Sequence, residues 1–230
     1  MRGPAPREAF AAGHNIAYAG SYFDQVLMAA RLGESGKPDA QEHSLNMVRH
    51  LQQIGANFAG RLKHVGQIAQ EAGLRSQQLP AMPEQYRPWA SSIHQEFLGI
   101  WTLADECGWL FAAGFSIGEL RNGLVVLQLC LDFQIHFKLD CSKELGVIPR
   151  RLYQAMERWA ESSARLEGSE HSAALLSRHR ELRPRLAALL SGLEKGEETA
   201  AGLAQGARSL LEQLAAAETE DAAALPSAAE

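Results

Sequence analysis

Asp132, His136 and Asp140 repeat at steps of four. A carboxylate–imidazole–carboxylate row is raw material for a metal site or for proton transfer. Its use depends on the backbone beneath it. Wound as a helix, the row stacks on one face. Drawn out as a strand, it still shares a face, but successive members stand about 13 Å apart, which no single ion spans. A wider set, His94, Asp105, Asp132 and His136, offers material for a carboxylate/histidine pocket between helices. That set defines one reading of the chain, a helical metal- or cofactor-binding enzyme.

Other constellations do less. His43, His50 and His64 recur at multiples of seven, whereas ligand pairs on one helix need steps of three or four, so exposed polar positions are expected. His94, Glu96, Asp105 and Glu106 suggest a fragment of a carboxylate-bridged diiron bundle, which requires a Glu-x-x-His pair on each of two helices. No Glu in the chain has a His three residues on. Cys107, Cys130 and Cys141 show neither CxxC spacing nor an even count, and read as three separate reduced thiols. No GxGxxG, Walker loop, GxSxG or HExxH occurs. The residues therefore name no catalytic group and no cofactor, and the balance leans away from an enzyme.

The elements that must position these groups turn on one stretch. From Leu127 to Leu139 every odd residue is large and apolar, while Gln128, Cys130, Asp132, Gln134, His136 and Lys138 fill the even places. A period of two is the mark of a strand with one buried face. Trp109, Phe111, Ala113, Phe115 and Ile117 alternate likewise, and Asn122-Gly123 between the two runs is hairpin chemistry. A three-residue loop over Arg121, Asn122 and Gly123 sets Phe115 beside Leu129, Phe111 beside Phe133 and Trp109 beside Ile135, collecting the large residues on one face. Two features favour a helix instead. Gly108, Gly114 and Gly118 would permit close helix crossing, and Ser116 to Glu119 resembles a capping box. The alternation outweighs them, so the stretch is expected to be a β-hairpin, and the acid–imidazole–acid row a solvated strand face.

The rest reads as helix. A first helix is expected from about Arg7 to Leu32, and a second from Asp39 to Ala72. The second carries an apolar seam of Val48, Leu51, Gly55, Phe58, Leu62, Val65, Ala69 and Ala72, suited to an antiparallel helix pair. Pro80, Pro83 and Pro88 mark an irregular connector before a helix over Trp89 to Glu106. Further helices are expected from Pro149 to Glu167, from Ser169 to Leu190 with a kink at Pro184, and from Glu197 to Ala217. The fold class expected is α+β, predominantly helical: an antiparallel helix pair and bundle with one central amphipathic β-hairpin. The expected division is 1–88, 89–146, 147–217 and a disordered acidic tail at 218–230, with a single domain over 7–217 as the alternative.

Composition narrows the function classes. The 230 residues carry a net charge of −5, with 46% hydrophobic and 21% charged residues, which suits a globular protein and argues against a nucleic-acid partner. The one basic cluster, Arg178-His179-Arg180 with Arg183 and Arg185, reads as a solvated helix face. The first residues lack the apolar core of a signal peptide and no apolar run reaches eighteen residues, so a cytoplasmic protein without a membrane partner is expected. The leading functional expectation is a non-enzymatic interaction, scaffold or chaperone-like protein. It would self-associate as a homo-oligomer through helix seams and the hairpin, using Phe111, Phe115, Leu129, Phe133 and Ile135. A membrane-inserting hairpin is the remote alternative.

Overall fold

The computed structural model describes residues 6–71, 73–74, 78, 85–102, 105–169, 172–196 and 198–225. Among these there are seven helices and no β-strand: α1 (Pro6–Glu34), α2 (Pro38–Glu71), α3 (Tyr86–Ile100), α4 (Glu106–Phe137), α5 (Ser142–Arg165), α6 (Ser172–Lys195) and α7 (Ala200–Ala224). Pro80 and Pro83 of the expected connector, Ala72 at the end of the seam and the last five residues lie outside the described set.

The expected hairpin is the central helix, α4. It runs unbroken through Asn122-Gly123 and packs against α1 on one side and against α5 and α7 on the other. Helices α2 and α3 rest on α1, and α6 joins α5 to α7. A helix covered on several sides needs no polar face and loses the 3.6-residue signature that would announce it. Burial shows the true period. Leu124, Leu127, Cys130 and Leu131 are buried at helical spacing, while Leu129 and Ile135, which a strand would hide, are only half-buried. The parity that suggested a strand is broken by Cys130, an even residue with no exposure.

Asn122-Gly123 is not a turn because both residues are required inside the helix. Asn122 is fully buried and its Nδ2 donates to Asp24 Oδ2 of α1 at 3.2 Å. Gly123 makes room for α5, since a Cβ there would lie 2.6 Å from Leu152 Cδ2. The α1–α4 crossing has the same character. A Cβ on Gly13 would overlap the Phe111 carbonyl oxygen, and one on Gly114 would overlap that of Phe10. A Cβ on Gly118 would stand 2.6 Å from Ala17 Cβ. The two backbones touch through small residues, so the glycines that hinted at helix crossing do serve it.

Three charges in the middle of α4 are matched from neighbouring helices. Glu119 faces Arg151 of α5 at 3.8 Å, Arg121 meets Glu218 of α7 at 2.7 Å, and Asp132 lies 4.0 Å from Arg208 of α7. Pairing is what lets charged side chains sit on a largely buried helix. Arg121 and His14 both hold Glu218, the latter at 3.0 Å, and Arg7 Nε donates to the Leu225 carbonyl at 3.0 Å. These contacts hold the segment from Glu218 to Ala224, expected to be disordered, as the last turns of α7.

Other boundaries shift modestly. α5 starts at Ser142, so Pro149 falls inside it, and α6 passes through Pro184 without ending. α2 matches its expected span, and its seam residues Leu51, Leu62, Val65 and Ala69 are buried, but Val48, expected in the same seam, is exposed; the side chains of Gly55 and Phe58 are outside the described set. α4 is, among the described residues, the one helix long and apolar enough to cross a membrane. Of the qualifying window, 72% is buried against the rest of the chain.

Candidate functional site

The helical α4 does not restore the acid–imidazole–acid row. The helix ends at Phe137, and Lys138 takes the left-handed conformation with φ of 53°, which turns the chain before Asp140. The Asp140 carboxylate accepts from Ser142 N at 2.9 Å and Ser142 Oγ at 2.6 Å, closing the turn into α5. These bonds hold its carboxyl below the usual range. His136 is exposed at the end of α4, against Phe137 at 6.4 Å between ring centroids.

Nor does the wider set converge. Asp105 caps α4, its Oδ1 accepting from Gly108 N at 2.7 Å. Asp132 lies 27 residues farther along the same helix, about 40 Å at 1.5 Å per residue. Among the described residues, no group of three or more His, Cys, Asp or Glu side chains is disposed to hold a metal ion. Of the five residues expected at a self-association surface, Phe111 and Phe133 have no exposure at all, and Phe115, Leu129 and Ile135 are half-buried against the same core. The basic cluster is also taken up internally. His179 packs edge-on to Trp159 at 5.0 Å, Arg183 pairs with Glu157 at 2.8 Å, and Arg178 donates to the Ala217 carbonyl.

His94 is different. It projects from α3 onto α4, its ring stacked on Phe115 at 4.3 Å and Phe111 at 5.4 Å. There it walls a cavity of about 370 Å³ between α1, α3, α4 and α5. Ile16 and Ala17 of α1, Ala90 of α3 and Phe115 of α4 form the apolar wall. Ser91, Arg87, Glu119 and Arg151 supply the polar one. Burial, and then the charge of Arg158, pushes the His94 imidazole below its ordinary pKa. It is therefore neutral at pH 7, able to donate from one nitrogen and accept at the other.

The arginines are organised by a residue behind the lining. Asp24 of α1 pairs with Arg87 of α3 through Oδ1, and its Oδ2 lies 3.3 Å from Arg151 of α5. The same Oδ2 receives Asn122 Nδ2. Arg87 also stands over the Phe23 ring, 5.3 Å from its centroid. One carboxylate thus holds two guanidiniums from different helices. The second carboxylate, Glu119, stands 3.8 Å from Arg151, beyond a direct hydrogen bond. A guanidinium carries five N–H donors, so most of these donors are not taken up by Asp24. The lining thus combines two guanidiniums and the Glu119 carboxylate, with Asp24 behind them, and an aromatic and aliphatic wall.

Sequence reasoning singled out His94 but not its partners. Glu119, Arg87, Arg151 and Asp24 lie on four helices, and no local spacing announces them. Asn122, taken for a turn residue, donates to Asp24 behind the lining, a role open to it only because α4 is a helix. No protein-family model, no curated protein and no solved structure matches this chain.

Proposed function

We propose that this chain is a non-enzymatic cytoplasmic binding protein whose cavity between α1, α3, α4 and α5 takes a small anion with an apolar body, such as an aliphatic or aromatic carboxylate. The observation that carries the reading is the convergence of Arg87 and Arg151 on a single Asp24 beside an apolar wall. A planar carboxylate matches the guanidinium fork. A volume of about 370 Å³ falls at the small end of ligand cavities and suits a compact molecule. Neutral His94 offers a hydrogen bond without adding charge and lays its ring along a flat ligand.

Calorimetric titration with a panel of small carboxylates and organic phosphates tests this directly. The expected result is saturable binding by at least one apolar carboxylate, weakened at least tenfold in Arg151→Gln. A panel without any binder tighter than millimolar, or a binder indifferent to Arg151→Gln and Arg87→Gln, contradicts the reading.

Self-association through helix faces is the second reading, favoured by a different observation. Leu45 on α2 is 58% exposed, Val48 one turn on is 39% exposed, and Leu27 on α1 is 52% exposed. Two large apolar residues on one turn of a rim helix support a contact between copies. Light scattering across a hundredfold range of concentration decides it: a dimer that Leu45→Glu dissociates supports the contact, and a monomer throughout removes it.

A further inference from the structure

Glu119 has a place in the cavity that its sequence context does not explain. Ser116 to Glu119 resembled a capping box, but Ser116 Oγ donates to the Ala112 carbonyl at 2.8 Å in the middle of α4, where no helix start offers Glu119 an open amide. Its side chain lines the cavity instead, one turn beyond Phe115 on the same helix. Among the described residues its ion-pair partner is Arg151, and 3.8 Å is too long for a direct hydrogen bond. The side chain is only 22% exposed, which limits how far water can serve it in place of that bond.

The charges around the cavity alternate in a row: Arg87, Asp24, Arg151, Glu119. Asp24 is taken up by the two guanidiniums and by Asn122, so Glu119 is the carboxylate that the lining presents. Two cations and two anions balance, and His94, held neutral, adds no third cation. A bare carboxylate entering beside the guanidiniums leaves that balance negative and meets the like charge of Glu119. A carboxylate that brings its own ammonium group keeps the balance and gives Glu119 a partner.

We propose, resting on the carboxylate reading of this cavity, that its ligand is an α-amino acid with an apolar side chain, the carboxylate on Arg87 and Arg151 and the ammonium on Glu119.

The spacing suits two charged groups borne on one carbon. With ordinary bond lengths the ammonium nitrogen of an α-amino acid stands about 3 Å from its nearer carboxylate oxygen. Arg151 and Glu119 present a donor and an acceptor 3.8 Å apart, so both can engage the ligand at once. An ammonium offers three donors and no acceptor, the complement of an ionised carboxylate. Ile16, Ala90 and Phe115 give the ligand's side chain its apolar contacts, and the His94 ring, stacked on Phe115 at 4.3 Å, extends that wall. A volume of about 370 Å³ holds a branched aliphatic or single-ring side chain. Glu119 is thus the residue that sets specificity, while the arginines supply the anchor.

Calorimetric titration of the full chain with matched pairs tests this: valine against isovalerate, leucine against isocaproate, phenylalanine against hydrocinnamate. Each pair differs only by the ammonium group. Within at least one pair the amino acid is expected to bind about tenfold tighter or more. Glu119→Gln is expected to bring that ratio close to one, with the deaminated acid bound no worse than by the unaltered chain. Deaminated acids that bind as tightly as their amino acids in every pair, or a ratio that Glu119→Gln leaves unchanged, overturn the assignment. Binding of the deaminated acids alone, lost in Arg151→Gln, removes the ammonium position and leaves the carboxylate site standing. No saturation by either member of any pair removes both. The comparison within pairs uses the unaltered chain, so it holds whether or not Glu119→Gln folds.

Discussion

Helices α2 and α4 are nearly equal in length, at 34 and 32 residues, and opposite in situation. α2 lies on the rim, packed on α1, with long runs of exposed side chains between its buried seam positions. α4 lies at the centre between α1, α5 and α7, and its charges at Glu119, Arg121 and Asp132 each face a partner from a neighbouring helix. An amphipathic helix writes its environment into its sequence, because water on one side demands polar residues there. A helix enclosed by others does not. What replaces amphipathicity in α4 is shape: glycines where another backbone touches, and charges only where a partner waits.

Substituting equivalent residues in the two helices gives the largest expected contrast. Gly114→Ala in α4 drives a Cβ into the Phe10 carbonyl and should lower stability by about 3 kcal/mol or more. Gly60→Ala in α2, where nothing lies within 4 Å of the added methyl, should raise it by about 0.4–1 kcal/mol. Chemical denaturation of both variants reads the difference, and equal effects would break the comparison.

Phe133→Ala comes next. The ring is fully buried among the core of α4, and its removal should destabilise by about 3–5 kcal/mol. Leu45→Ala on α2 should change stability by no more than about 0.5 kcal/mol. A large loss from Leu45→Ala in monomeric protein would mean that the rim helix is not a rim.

The charge pairing around α4 gives an effect of intermediate size with a pH signature. Burial alone would raise the Glu218 carboxyl, but the hydrogen bond and charge of His14, with the Arg121 guanidinium, outweigh it and hold the group below the usual carboxylate range. A carboxyl depressed in the fold contributes stability above its unfolded pKa and loses that contribution as pH falls through the folded one. Glu218→Gln should therefore reduce stability at pH 7 by about 1–3 kcal/mol, and the two proteins should converge on acidification toward pH 3. Parallel curves across that range would show that Glu218 does not carry the pairing. A smaller loss within α4 is expected at its start, where Asp105→Ala removes the cap on Gly108 N and should lower stability by about 1 kcal/mol.

The same contrast separates what was legible in the sequence from what was not. The second helix was readable to within a residue or two, with its seam at Leu51, Leu62, Val65 and Ala69, although Val48 at the head of that seam faces outward. The central helix was misread as a hairpin. Its odd-numbered leucines and phenylalanines mimic a strand, and Asn122-Gly123 mimics a turn. Both resemblances dissolve once α1 and α5 are in place to use Asn122 and Gly123 as packing residues. The cavity was legible only at His94. Asp24, Arg87, Glu119 and Arg151 are brought together by tertiary packing, and each alone is an ordinary charged residue on a helix.

The continuity of α4 through Asn122-Gly123 underlies both the cavity and the charge pairing. Backbone chemical shifts and amide exchange over residues 118–137 measure it most directly. The account predicts unbroken helical shifts, with the amides of Leu124 to Leu131 among the slowest to exchange in the protein. Extended shifts from Leu127 onward, or fast exchange at 121–124 marking a turn, would contradict it.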